Sequence, residues 1–180
     1  MAKVGILVGS LRKESFSQSL AENILALFPN TFEVEILSIG QLPLYNQDFD
    51  DIEGNEPESY KAFRAKVKEK DIFIFVTPEY NRSLPAVLKN ALDIGSRPKS
   101  DNVWSNKVAG IISNSPGMLG GFGANHHLRQ VLTPLNVKVL QQPEVYLSQV
   151  AQLFDDDRKI KNEGTVNFLQ SFINEVIALR

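Results

Sequence analysis

The sequence predicts an α/β fold in which helices cover both faces of a parallel β-sheet. Two observations support this prediction: short apolar runs alternate along the chain with stretches of helical periodicity, and most of the runs lack the polar alternation of a half-exposed strand. Parallel strands lose that alternation because both of their faces are buried. The chain has 180 residues, of which 43% are hydrophobic, and this suits one domain spanning residues 1–180.

The first part of the chain supplies two strands, two helices and a long loop. Val4–Val8 is an apolar run that stops at a glycine, and apolar residues then recur every four positions over 16–28, as on one face of a helix. Phe32–Ile39 begins with alternating apolar and polar residues, which is typical of an edge strand. Residues 41–57 have no period, but their apolar side chains indicate a folded loop before a helix over Glu58–Lys68.

The rest of the chain continues the alternation. Ile72–Val76 is the most apolar run and is expected near the centre of the sheet. The elements after it are a helix that Ser83 caps and that runs through Leu92, a strand over Lys107–Ser113, a helix over Gly121–Leu135, a strand over Val137–Leu140 that extends towards Leu147, and a C-terminal helix over 166–177. Strands that alternate with helices in this way are joined by right-handed crossovers.

The composition argues against several classes of protein. The net charge is −2, whereas nucleic-acid binders carry a basic patch, and the longest apolar runs are far shorter than the roughly 20 residues of a membrane span. The absence of cysteine excludes disulfides, zinc–thiolate sites and cysteine nucleophiles, and with them the small cysteine phosphatases. A strand follows Met1 without a charged leader, so we expect a cytoplasmic protein.

Two pairs of residues and one missing motif bear on other kinds of site. His126 and His127 are adjacent, and neighbouring helical side chains point about 100° apart, so we expect no metal site there. Asp93 and Arg97 are candidates for a surface or subunit ion pair. A serine hydrolase would need a Gly-x-Ser-x-Gly elbow, which the sequence lacks.

In an open sheet of this kind, ligands bind beyond the carboxyl ends of the strands, where the strand order reverses. The segment after the first strand supplies the hydroxyls of Ser10, Ser15 and Ser17 and the guanidinium of Arg12, beside a helix start with unpaired N–H groups. This combination suits a phosphate monoester. The simpler alternative is that Ser15 or Ser17 only caps the helix.

The segment after the third strand contains Pro78, Glu79, Tyr80 and Asn81. A proline in this position turns the chain out of the sheet, so the N–H groups of Glu79 to Asn81 are expected to be free to meet a ligand, and Tyr80 offers a flat ring. The alternative is a proline-containing turn with a surface tyrosine.

The segment after the fourth strand is rich in glycine and includes Ser115, Gly117 and Gly120. Glycine lets the main chain approach a ligand closely. A flexible turn into the next helix is the alternative.

Together these segments give the chain a specific resemblance to a known family. It resembles the NADPH-dependent FMN reductases, flavodoxin-like proteins that include bacterial quinone, azo-dye and chromate reductases. The matching blocks are Gly9–Lys13 with Ser15 and Ser17, Thr77–Asn81 through Pro85 to Asp93, and Ser115–Gly117 with Gly120–Gly121 and Leu128–Leu132. The chain departs from the family at Ser17, where asparagine is usual, at Ala86, where glycine is frequent, and at Ile94-Gly95, where Trp-Leu is usual.

The resemblance implies a three-layer, doubly wound flavodoxin-like fold with a five-stranded parallel sheet of order 2-1-3-4-5, and FMN as cofactor. It implies that the FMN phosphate is held by Ser10, Arg12, Ser15, Ser17 and Gln18. It also implies that the isoalloxazine ring and ribityl chain of FMN contact Pro78, Glu79, Tyr80 and Asn81. From the segment after the fourth strand, Ser115, Gly117 and Gly120 are implied to approach the cofactor.

The activity implied is that of an FMN-dependent NAD(P)H oxidoreductase working in two half-reactions. NADPH or NADH delivers a hydride to the flavin, which then reduces a quinone, an azo compound, a chromate-type oxyanion or free flavin. No side chain is expected to be catalytic, although Tyr80 is expected to shape the ring face. Related reductases are dimers or tetramers, and the apolar loop residues and Trp104 suggest a homodimer or homotetramer.

Two rival interpretations remain open. One is a flavodoxin-type electron carrier without NAD(P)H activity of its own, which the near-neutral charge and Arg12 disfavour. The other is a flavin-binding regulatory or assembly protein with negligible turnover.

Overall fold

The computed structural model describes all residues, 1–180. In chain order its elements are β1 (Ala2–Val8), α1 (Phe16–Leu25), β2 (Phe32–Leu37), α2 (Asp48–Asp51), α3 (Glu58–Glu69), β3 (Ile72–Pro78), α4 (Ala86–Gly95), β4 (Val108–Asn114), α5 (Phe122–Leu132), β5 (Lys138–Val139), β6 (Val145–Leu147) and α6 (Glu163–Ala178), with short 3-10 turns at Lys99–Asp101 and Val150–Leu153. None of the helices has both the length and the apolar character needed to cross a bilayer.

The strands form one parallel sheet in the order β2-β1-β3-β4-β5, and this order confirms the expectation. Val4 of β1 lies opposite Val34 on one side and Ile72 on the other, and Ile72 in turn lies opposite Val108. The apolar run of β3 is fully buried at the centre of the sheet, as its lack of polar residues predicts.

The fifth position of the sheet is divided between two short strands. β5 pairs with the start of β4 and β6 pairs with its end. The predicted extension towards Leu147 is therefore present, but as a separate strand. Between the two lies Pro143, which has no N–H to donate to a ladder.

Apolar side chains form two cores, one on each face of the sheet. Val4, Ile6 and Ile74 lie in the core that includes α1 and α6. Phe73 and Phe75 lie in the other core, with α3, α4 and α5. Successive residues of a strand point to opposite faces, so the unbroken apolar run of β3 supplies both cores.

Trp104 belongs to the second core. Its side chain is fully buried, its ring centre lies 5.0 Å from that of Phe73, and its Nε1 donates to the Leu92 carbonyl at 3.0 Å. A side chain enclosed within its own subunit makes no contact with a partner, so the predicted interface role of Trp104 is wrong. Its position in a connection suggested the surface, where most connections lie.

Two local predictions also differ from the structure of the chain. Helix α4 begins at Ala86 after Pro85, and Ser83 does not cap it; Ser83 Oγ instead lies 2.8 Å from His127 Nδ1. Asp93 forms its ion pair within the chain with Lys89, one helical turn away, at 2.8 Å rather than with Arg97, and a pair of Asp93 and Arg97 between subunits stays a prediction. Lys89 lies on α4 four residues before Asp93, so the two side chains are neighbours on the helix surface, whereas Arg97 lies beyond the end of α4.

Buried polar side chains anchor the long loop between β2 and α3. Asn90 on α4 accepts from the Tyr45 N–H at 2.8 Å and donates to the Pro43 carbonyl at 2.9 Å. Arg64 on α3 pairs with Asp50 at 2.7 Å. Burial, with a further contribution from Asp50, raises the pKa of Tyr45. The segment is a folded loop, as its apolar residues predict.

A buried lysine depends on β2 for its partner. The side chain of Lys70 is 1% exposed, and its Nζ donates to Glu35 at 2.8 Å. Lys66 also donates to Glu35. The hydrogen bonds from Lys66 and from Lys70 lower the pKa of Glu35.

Candidate functional site

The three segments predicted to bind a ligand meet at one edge of the sheet, where β1, β3 and β4 end. Asn114, the last residue of β4, connects them: its Nδ2 donates to Ser17 Oγ at 2.9 Å and to the Thr77 carbonyl at 3.2 Å. Ser17 lies in the first turn of α1, and Thr77 lies next to the end of β3. The chain winds in opposite directions from β1 and β3, so this is the switch point at which such folds bind ligands.

The first segment presents a run of unpaired N–H groups. The pairing of β1 with β3 continues to the Gly9 N–H, which donates to the Val76 carbonyl at 2.8 Å, and no N–H over 10–17 makes a hydrogen bond within the chain. The Gln18 N–H donates to Ser15 Oγ at 3.2 Å. Because Ser15 Oγ accepts, its own proton is left for another acceptor. Free N–H groups at a helix start are suited to an anion.

The other predicted phosphate ligands lie around this run. Ser10 is half-buried and Arg12 is exposed, with its guanidinium carbon 5.3 Å from the centre of the Phe16 ring. The Gln18 side chain donates to Glu22 at 3.0 Å along the surface of α1. The serines and Arg12 therefore belong to the same segment as the unpaired N–H groups, whereas the Gln18 amide is engaged with Glu22.

The second segment forms a tight turn. Tyr80 and Ser83 exchange main-chain hydrogen bonds of 3.0 Å, and Asn81 and Arg82 have φ of 51° and 68°, as in a type I′ turn. The prediction that the Tyr80 N–H is free is therefore wrong, whereas the N–H groups of Glu79 and Asn81 make no hydrogen bond within the chain. Tyr80 is 52% exposed, so its ring is accessible.

The carboxylate of Glu79 joins the second segment to the third. Its Oε2 accepts from the Ala124 N–H in the first turn of α5 at 3.0 Å. A carboxylate at this end of a helix is stabilised by the helix dipole. The start of α5 is therefore occupied by a carboxylate of the protein, whereas at the start of α1 the neutral hydroxyl of Ser15 accepts from one N–H group and the N–H groups before it stay unpaired.

The two glycines predicted in the third segment differ in their surroundings. Gly120 has φ of 59°, and a Cβ there would lie 2.7 Å from the carbonyl carbon of Tyr146. At Gly117 the nearest atom to a Cβ would be Ser115 Oγ, 4.0 Å away. Ser115 itself donates to the Gly117 carbonyl at 3.1 Å. Packing against β6 requires glycine at position 120, whereas the protein leaves open space at position 117.

Aromatic side chains lie behind the third segment. The Tyr146 hydroxyl is 3.0 Å from His126 Nε2, and the Phe122 ring centre is 4.2 Å from that of His126. Burial, with a further contribution from Glu144, raises the pKa of Tyr146 to about 12. His126 and its neighbour His127 thus have different partners on different elements.

Sequence reasoning did not single out Asn114 or Arg158. Asn114 could have been found as the amide side chain at the carboxyl end of a strand whose preceding residues, apart from Ser113, are apolar or glycine. Arg158 gave no signal, because its contacts are distant in sequence: it pairs with Glu14 at 2.9 Å, and its guanidinium carbon lies 5.2 Å from the centre of the Phe16 ring.

Comparison with known proteins identifies relatives along the whole chain. Residues 2–152 match a family described as NADPH-dependent FMN reductase. A quinone reductase of Pseudomonas putida is 48% identical over 172 residues, which cover 95% of this chain and 90% of the relative. A 2-hydroxy-1,4-benzoquinone reductase of a Burkholderia species is 41% identical over 176 residues, covering 98% and 94%. Among solved structures, FerB from Paracoccus denitrificans, a flavoenzyme NAD(P)H:(acceptor) oxidoreductase, has a TM-score of 0.90 at 34% identity, covering 99% of this chain and 97% of FerB.

Proposed function

The chain belongs to the NADPH-dependent FMN reductase family, and we propose that it is an FMN-dependent NAD(P)H oxidoreductase that reduces quinones and related small acceptors. The observation that supports this most directly is the run of unpaired N–H groups over 10–17, which lies at the edge of the sheet where Asn114 joins the end of β4 to β3 and α1. Bound FMN supplies a ring that accepts a hydride and passes electrons on.

The first segment fits the phosphate of this cofactor. A phosphate offers acceptors only, and the segment offers unpaired N–H groups, serine hydroxyls and an exposed guanidinium. The exposed hydrogen bond from the Gln18 amide to Glu22 is weak enough to exchange for one to a ligand. The proposed phosphate ligands are Ser10, Arg12, Ser15, Ser17 and Gln18.

The second and third segments fit the remainder of the cofactor. Tyr80 presents an accessible ring, the N–H groups of Glu79 and Asn81 are free to stabilise negative charge on a bound ring, and the open space at Gly117 admits a flat ligand. The Glu79 carboxylate accepts from the Ala124 N–H and so helps to hold the start of α5 in place. The proposed residues on this side are Pro78, Glu79, Tyr80, Asn81, Ser115, Gly117 and Gly120.

The decisive experiment is an anaerobic titration of the FMN-loaded protein. We expect NADPH or NADH to bleach the flavin absorbance and a quinone to restore it, with steady-state oxidation of the nicotinamide above background. A protein that takes up no FMN contradicts the proposal. Bound FMN that NAD(P)H does not bleach indicates an electron carrier, and bleaching without turnover on a quinone indicates a binding protein.

A pair of arginine variants tests the phosphate site separately. Arg12→Ala removes an exposed cation beside the unpaired N–H groups and is expected to weaken FMN binding about tenfold, as loss of a charge-assisted hydrogen bond does. Arg180→Ala removes an arginine whose partner is Asp71 and serves as the control. Equal affinities in the two variants would exclude Arg12 from the site.

The proposal includes a cytoplasmic homodimer or homotetramer. Leu44 is 77% exposed on the anchored loop, and Leu119 and Phe122 are 57% and 51% exposed at the third segment. Groups of exposed apolar side chains mark interfaces. Light scattering that gives the mass of one 20.1 kDa chain would overturn the proposed oligomer. Cell fractionation that places the protein outside the cytoplasm would overturn the proposed location.

A further inference from the structure

We propose that Asn114 is a positioning residue that directs the hydroxyl proton of Ser17 towards the phosphate of the cofactor. This rests on the proposed function, because it concerns the same site. The supporting observation is the pair of hydrogen bonds that Asn114 makes across the ends of β3, β4 and α1.

The Thr77 carbonyl sets the orientation of the Asn114 amide. A main-chain carbonyl can only accept a hydrogen bond, so the amide atom 3.2 Å from it must be the nitrogen. The same nitrogen lies 2.9 Å from Ser17 Oγ. An amide nitrogen can only donate, and Ser17 Oγ is therefore the acceptor.

The hydroxyl proton of Ser17 must then go to a third group. Ser17 is 1% exposed and makes no other side-chain hydrogen bond within the chain, and its main-chain N–H is unpaired. Ser17 thus offers two donors at the start of α1. An ionised phosphate can accept both, whereas the terminal hydroxyl of riboflavin gains less because it lacks the charge.

Burial makes this arrangement selective. Asn114 is 2% exposed and Thr77 is fully buried, so water does not compete for the amide and the bonds are stronger than at the surface. The Ser17 hydroxyl therefore accepts from Asn114 before any ligand binds, which leaves its proton to donate to the ligand. The site discriminates FMN from riboflavin partly through Asn114.

The test compares the dissociation constants of FMN and riboflavin in a set of variants. In Asn114→Ala and Ser17→Ala, FMN affinity is expected to fall about tenfold and riboflavin affinity less than about threefold. The double variant should lose no more than either single variant, because both changes remove one coupled unit. Asn114→Asp keeps the side-chain size but accepts the Ser17 proton, so we expect a loss of FMN affinity of about 100-fold or more.

Asn125→Ala is the matched control. Asn125 is also fully buried, but its amide donates to Ser113 and Val145 behind the third segment, so its loss should lower the melting temperature and leave the FMN-to-riboflavin ratio unchanged.

Equal losses for FMN and riboflavin in the Asn114 variants, or additive losses in the double variant, would overturn the positioning role while leaving the proposed function intact. Failure of the wild-type protein to bind FMN would instead overturn the proposed function. If Asn114→Ala does not fold, Asn114→Asp and Ser17→Ala decide the outcome.

Discussion

Alanine substitutions at Gly120 and Gly117 separate the structural from the ligand-binding use of glycine in the third segment. Both positions are proposed to face the cofactor, and both lie in one short loop. Only Gly120 has a positive φ and backbone of β6 in the path of a Cβ. The two substitutions therefore add the same methyl group to different surroundings.

The expected cost follows from those surroundings. At position 120 an alanine is expected to lower the free energy of unfolding by about 1–2 kcal/mol because of the left-handed conformation and by about 1–3 kcal/mol more because of overpacking against Tyr146. A loss of about 3 kcal/mol lowers the melting temperature by roughly 6–12 °C in a protein of this size. At position 117 the open space implies a change within about 0.5 kcal/mol.

Thermal unfolding without cofactor measures the change in stability of each variant, and FMN titration measures the change in its affinity for the cofactor. We expect Gly117→Ala to melt like the wild type but to bind FMN about tenfold more weakly, because the methyl group occupies space that the ligand needs. Wild-type FMN affinity in Gly117→Ala would refute the ligand role of that glycine. A wild-type melting temperature in Gly120→Ala would refute the packing argument.

Three further predictions concern the fold around the site. Glu35→Gln should lower the free energy of unfolding by about 1–2 kcal/mol at neutral pH, less than for a fully buried pair because the Glu35 side chain is 36% exposed. The pKa of Glu35 is lowered in the folded protein, so its carboxylate stabilises the fold above the ordinary pKa of 4.5, and this stabilisation is lost as the pH falls through the lower folded pKa. The melting temperatures of variant and wild type should therefore converge in acid. Asn90→Ala should speed amide hydrogen exchange over 42–45, since that side chain holds the loop. The Trp104 indole should resist quenching by acrylamide, because it is fully buried.

Each of these has its own control and contrary outcome. Glu33→Gln removes a surface carboxylate 4.0 Å from its partner and should leave the melting temperature unchanged; a similar loss in both variants would show that the loss does not come from the pair of Glu35 with the buried Lys70. Asn174→Ala removes an exposed asparagine and should not alter exchange in the loop. A Trp104 that acrylamide quenches readily would restore its candidacy for a surface role.

The alternation of apolar runs and helical patterns was enough to predict the order of the main elements and the central position of β3, because burial and periodicity are local properties of a chain. The strand order followed from the resemblance rather than from the pattern. The clustering of serines and an arginine after the first strand also identified where unpaired N–H groups lie. The roles of the individual site residues and the organisation into one domain stay predictions.

Contacts between distant positions were beyond any local pattern. Trp104 is buried inside the subunit, and the Tyr80 N–H is paired within its own turn. The amide of Asn114 donates to Ser17, a residue 97 positions away. A side chain's hydrogen-bond partner depends on which groups the folded chain brings within about 3 Å. Residue types therefore sufficed to propose a phosphate site, but which atoms donate, which accept and which stay free was settled by three-dimensional packing.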